Sequence, residues 1–189
     1  MKLQVILAIW LSWTTLPAQQ TDEPRYTVDG KMMRPDKYRE WVYLSSGLGM
    51  TYGVAEAAVG PDTERFDNVF VTPEAYRAFV QTGTWPDKTM FALEVRSSAT
   101  KGSINRGGHY QEGIAALEIH LKDRKRFANG WAFFGFGNAD QTAKAFPPNS
   151  ACQTCHAGHG AVDETFVQFY PTLLPIARAK GTLKPGNAQ

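Results

Sequence analysis

Two cysteines and a histidine stand at a spacing that does one kind of chemistry well: Cys152-Gln153-Thr154-Cys155-His156. Two thiols two residues apart add to the two vinyl groups of one porphyrin, and the imidazole that follows lies under the iron as an axial ligand. The segment is a complete CxxCH site for one covalent haem c. A CxxC also occurs in thioredoxin-like dithiols and as half of a zinc site. No second CxxC is present to complete a zinc cage, and Phe146-Pro147-Pro148-Asn149-Ser150 upstream is no βα redox unit. The chain holds 2 cysteines in all, so none remains for a structural disulfide.

A second axial ligand would make the protein a plain electron carrier. The candidates are His109, His120, His159, Met32, Met33, Met50 and Met90. His159 follows the proximal ligand too closely to reach the other side of a porphyrin. His120 alternates with an apolar face and is expected to meet water, and His109 follows two glycines in a loop. The expectation is an open sixth position.

The residues that must position this group lie in a chain of 189 residues with formal net charge +2. Lys2, the uncharged apolar run Leu3 to Trp13 and Leu16-Pro17-Ala18 read as a signal peptide over residues 1–18. The run is shorter than the about 20 apolar residues of a spanning helix. Residues 19–189 then form a single haem c domain, exported to the periplasm, where c-type attachment takes place in bacteria. The charge is balanced along the chain, with no basic block, which argues against nucleic acid as a partner.

Asp36 to Leu44 reads as a helix, with Pro35 before it and Tyr38, Trp41 and Val42 on one face. Thr72 to Thr82 is better marked, with Thr72 as N-cap, Pro73 at the first helical position and Gly83 as the stop. Its apolar face is Tyr76, Phe79 and Val80. Four runs rich in β-branched and aromatic residues read as strands: Asp67 to Val71, Thr89 to Arg96, Gly113 to Lys122 and Gly130 to Phe136. In the third, Leu117, Ile119 and Leu121 alternate with Glu118, His120 and Lys122, the period of a half-buried strand. Asp163 to Tyr170 and Thr172 to Lys180 read as helical. The class is α+β: a mainly antiparallel sheet, expected as a sandwich, with a few helices and the haem c near the C-terminus.

These pieces, in this order, resemble the cytochrome P-460 family together with its relative cytochrome c′-beta. The matching segments are Tyr38 to Val42, Thr72 to Tyr76, Thr82 to Phe91, Leu117-Glu118, Trp131 to Phe134, Ala145 to Pro148, the CxxCH, and Phe166 to Pro171. The resemblance implies a homodimer with a five-coordinate haem c. Cytochromes P-460 oxidise hydroxylamine to nitrous oxide or nitric oxide-level products and bear a lysine bonded to a porphyrin meso carbon. Cytochromes c′-beta lack that bond, have an apolar distal pocket and bind nitric oxide without catalysis.

The leading expectation is hydroxylamine oxidation, with electrons passed to a periplasmic acceptor; the alternative is a nitric oxide-binding protein. Lys88, at the start of a predicted strand, is the first candidate for the cross-link, and Lys101, in a Gly/Ser loop, the second. A solvated lysine in a Pro86-Asp87-Lys88 turn is the competing reading of Lys88. Oxidation releases protons, and Glu112 and Glu118 are the candidate acceptors. They share parity with Ile114 and Ala116, so a regular strand points both to one side. A solvated strand face is the competing reading of either.

Overall fold

The computed structural model describes residues 22–51 and 64–186. The signal peptide expected over residues 1–18 lies outside the described residues. Five strands form one antiparallel meander: β2 (Val42–Leu48), β3 (Arg65–Val71), β4 (Met90–Ala99), β5 (Tyr110–Lys122) and β6 (Trp131–Phe136), in spatial order β2-β3-β4-β5-β6. A small second sheet pairs β1 (Met32–Met33) with β7 (Thr142–Ala143). The expected mainly antiparallel α+β class is thus the observed one. The second layer is not a full sheet, however: helices, turns and this two-stranded ribbon cover the meander.

The helix α1 (Pro73–Thr82) joins β3 to β4. Pro73 opens it, and Gly83 closes it at φ 75°, its N–H donating to the Phe79 carbonyl. Only glycine takes that left-handed conformation without cost. Thr72 is buried and makes no side-chain cap bond. The inner face is Ala75 and Phe79; Val80 points outward.

The helix expected over Asp36–Leu44 is not there. A single 3-10 turn, Tyr38–Glu40, leads directly into β2. The spacing of Tyr38, Trp41 and Val42 suits a helix, but Val42 and Tyr43 instead pair with Val71 and Phe70. Tyr38 and Trp41 then bury under the sheet. Pairing with a β-branched partner strand outweighs a weak helical preference. The helix expected over Asp163–Tyr170 shrinks likewise to a 3-10 turn at Val167–Phe169. Asp163 there has φ 52°, and Val162 and Thr165 bridge to each other. The remaining helices are α2 (Ala151–His159), which carries the CxxCH, and α3 (Leu174–Lys180).

Each sheet face has its own core. On one, Met90, Ala92, Leu117, Ile119, Leu121, Phe134 and Phe136 pack with Met32, Tyr38 and Trp41. On the other, Val71 and Phe91 pack with Phe79, Trp85, Val167, Tyr170 and Leu173. The expectation that β5 is half buried therefore fails in its C-terminal half. Leu117, Ile119 and Leu121 are buried on one side, and His120 and Lys122 are buried on the other. Lys122 is satisfied there by the Trp85 carbonyl at 2.7 Å and Asp163 at 2.8 Å.

Candidate functional site

The second face also holds a cavity of about 550 Å³. Its wall is laid down by strand alternation. Successive inward positions are Asp67 and Val69 on β3, Phe91, Leu93 and Val95 on β4, and Glu118 and His120 on β5. Helix α2 closes it, presenting Cys152, Cys155 and His156, and Phe166, Phe169 and Tyr170 complete the wall. The Ser150 side chain caps α2 by accepting from the Gln153 N–H at 3.4 Å, with Pro147 and Pro148 just ahead.

His156 is held from three sides. Its ring centroid lies 4.2 Å from Phe166, 4.7 Å from Phe133 and 4.8 Å from His120. Its Nδ1 is 2.8 Å from the Glu164 carbonyl oxygen. A carbonyl only accepts, so Nδ1 carries the proton and Nε2 keeps its lone pair for a metal. Burial lowers the pKa of the ring, against the Glu164 bond that raises it, so the imidazole is neutral, as a ligand must be. Cys152 and Cys155 are both half-buried and unpaired. Burial, and then the charge of Glu118, pushes the Cys152 thiol up.

These residues fit a haem. The cavity is mainly apolar, both thiols and the imidazoles of His120 and His156 line it, and His156 Nε2 is unengaged. His120 Nε2 is buried with no hydrogen-bond partner among the protein groups. Among the described residues no three His, Cys, Asp or Glu side chains converge to hold a bare metal ion.

The other expected site residues divide. Glu118 lines the cavity, and burial pushes its carboxyl up. Glu112 is exposed and lies outside the cavity; its carbonyl accepts from Arg96 at 2.5 Å. The two differ although they share parity, because the β4–β5 register shifts between Val95 and Ser98. Lys88 also lies outside. It sits in the turn before β4 at φ 67°, with its ammonium paired to the buried Asp123. Lys101 is exposed in its loop, where its carbonyl accepts from the Tyr110 hydroxyl at 2.6 Å. No lysine of the described residues lines the cavity.

Of the possible second axial ligands, only His120 and Met50 line it. His120 does not meet water, as the alternation suggested. It is buried, stacked on Phe133 at 4.0 Å and in ring contact with His156. Two imidazoles in contact cannot bind opposite faces of one porphyrin. Met50 is folded onto Gly47, where a Cβ would lie 2.3 Å from the Met50 sulfur. His109 bonds Ser98, His159 is exposed at the end of α2, Met33 lies on the surface, and Met32 and Met90 belong to the opposite core.

Asp67 is the site residue that sequence reasoning missed. It lines the cavity, and burial, with the charge of Glu118 adding and Arg65 opposing, raises its pKa to about 6. Its signal was a carboxylate in register with Val69 and Val71, on the side of the strand that should be apolar.

No curated protein matches the chain. The sequence profile of the Cytochrome P460 family matches residues 35–167, from the turn ahead of β2 through the CxxCH helix to Val167. That span takes in every strand of the meander and the thiols and imidazole that face the cavity, so the chain belongs to the Cytochrome P460 family, whose cofactor is haem.

Proposed function

We propose that the protein is an exported cytochrome carrying one covalent haem c, which binds nitric oxide at an open, apolar site without a lysine cross-link. The observation that carries this reading is the wall beyond the CxxCH helix. Apart from Asp67 and Glu118 it is built of Val69, Phe91, Leu93 and Val95, while Lys88 is committed to Asp123 and Lys101 to an outer loop. Cys152 and Cys155 would form the thioethers, and His156 Nε2 would hold the iron. When bound, the haem supplies a metal position that coordinates small diatomic molecules. The protein keeps His156 in one tautomer through the Glu164 carbonyl and excludes water with Phe133 and Phe166. The wall offers the ligand apolar contacts, which suit a neutral diatomic. Export rests on the basic head and apolar run of residues 2–13.

The carboxyls of Asp67 and Glu118 favour a second reading, hydroxylamine oxidation, because they could accept the protons that reaction releases. Intact mass and the ferrous absorption spectrum separate the two. The nitric oxide-binding reading expects haem attached only through the Cys152–His156 peptide, an unshifted Soret band, high-spin ferric iron and no hydroxylamine turnover. A haem peptide that includes a lysine, with turnover, would install the enzyme instead. Cys152→Ala with Cys155→Ala should abolish covalent haem; retention of haem by the same linkage would overturn both readings.

A further inference from the structure

The cavity wall is apolar except for two carboxyls, and they are arranged as a pair. On the cavity face Asp67 of β3 stands opposite Val95 of β4, and Glu118 of β5 stands opposite Leu93. The two acids thus flank β4 from either side, opposite two successive cavity-facing residues of that strand. The charge of Glu118 acts on Asp67. His156 is held against β5 and β6 through His120 and Phe133. Asp67 lies two strands away from β5, on the order of 10 Å along the sheet. Asp67 therefore belongs to the part of the cavity beyond His156, where a small ligand has to lie, while Glu118, on β5 two residues from His120, acts through its charge on both Asp67 and Cys152.

We propose that Asp67 and Glu118 act as a charge filter on this cavity, rejecting anionic ligands while ionised and admitting them once protonated, with neutral diatomics free to enter throughout. This assigns a selectivity role to the pair and rests on the haem-binding reading above. No lysine or arginine of the described residues lines the cavity to neutralise the pair. From β4 only Phe91, Leu93 and Val95 face it, and from β2 Ser45 and Gly47, none of them titratable. From β5 His120 faces it, and from α2 His156 with Cys152 and Cys155; burial keeps both imidazoles neutral. Tyr170 faces it from the turn after Val167–Phe169. Arg65, on the same strand as Asp67, is the one opposing charge that acts on it. His120, whose buried Nε2 has no hydrogen-bond partner, also lines this cavity. Burial raises both carboxyls, and Asp67, at about 6, changes state within the working pH range.

In low dielectric a like charge near the binding position costs far more than in water. The test uses the ferric holoprotein and azide, which stays anionic between about pH 5.5 and 8. Wild-type affinity for azide should fall about tenfold across this window as Asp67 ionises. In Asp67→Asn with Glu118→Gln the slope should flatten. The ratio of azide to nitric oxide affinity at pH 8 should then rise about tenfold. Asp67→Asn alone, nearly isosteric, should move the slope in the same direction if the double variant does not fold. Parallel slopes in the wild type and these variants would overturn the filter. That outcome is separable from failure of the haem reading, in which the wild type would show no haem band or no nitric oxide complex at all.

Discussion

Lys88 is a candidate haem cross-link in the sequence, and the fold places it outside the cavity, paired with Asp123. It precedes a strand in a turn after Pro86, and its ammonium is held by Asp123, a carboxylate that is itself 2 % exposed. Its φ of 67° is a conformation that costs a non-glycine residue on the order of 1 kcal/mol. Two substitutions separate these effects. Lys88→Ala should leave the haem mass and spectrum unchanged but lower stability, since Asp123 loses its ion pair. Lys88→Gly should be less harmful than Lys88→Ala by about 1 kcal/mol, because it relieves the backbone. Thermal melts and intact mass measure both, and a change in haem linkage in either variant would return Lys88 to the site. The CxxCH was fully legible because its chemistry is local, three side chains within five positions. Lys88, Lys101 and Glu112 were not, because whether a polar side chain faces a cavity is decided by strands distant in sequence. Asp67 was overlooked for the same reason: its partner Glu118 sits on another strand, and nothing nearby in sequence marks the two as a pair.

At the scale of elements, what could be read was what is periodic. Strands β3 to β6 and helix α1 were visible because β-branched runs and the Pro73 to Gly83 punctuation act within one segment. The start of strand β2 reads as helix because Tyr38, Trp41 and Val42 have helical spacing, and only the pairing of Val42 and Tyr43 with β3 overrides it. The turn at Tyr38 also feeds a buried polar knot between β2–β4 and the N-terminal segment. Glu94 on β4 accepts from the Tyr38 hydroxyl, from Arg96 Nε and from Arg39 at 2.5 Å, and Asn68 reaches it at 3.4 Å. Burial pushes the Glu94 carboxyl up, but the bonds from Arg96 and Tyr38 and the charge of Arg39 outweigh it, so its pKa is lowered. Removing Glu94 leaves the buried Tyr38 hydroxyl with no acceptor and takes the carboxylate from Arg96 and Arg39, although Arg96 keeps the Glu112 carbonyl and Arg39 Nε keeps the Tyr38 oxygen. Glu94→Ala should therefore cost about 3 kcal/mol in denaturant unfolding, while the haem spectrum is retained. A cost within a few tenths of a kcal/mol would show the knot to be solvated.

Across the whole molecule the two sheet faces make opposite demands on their acids, and this gives the protein a pH signature. On the face away from the cavity, Glu94 is stabilised as an anion. Its contribution is present above its unfolded value of 4.5 and is lost as pH falls through the lower folded value. On the cavity face Asp67 is destabilised as an anion, raised from 3.8 to about 6. The folded state therefore holds the Asp67 proton more tightly than the unfolded chain does. Its contribution is full below 3.8 and is lost as pH rises through about 6. The antiparallel class could be read from the sequence, but this asymmetry could not, because it depends on which face the helices and α2 close over. The cavity needs α2 to stand off the sheet, and the wall beneath it keeps an acid that tight packing would have excluded. Asp67→Asn should thus stabilise the holoprotein at pH 8, by about 1 kcal/mol after allowing for solvent screening of a part-exposed group. The gain should shrink through pH 6 and vanish near pH 4, where wild-type Asp67 is protonated when folded. Thermal melts of the wild type and Asp67→Asn at several pH values measure this directly. A constant difference across that range would mean that Asp67 does not titrate in the folded protein, and would remove the acid on which both the pH signature and the charge filter depend.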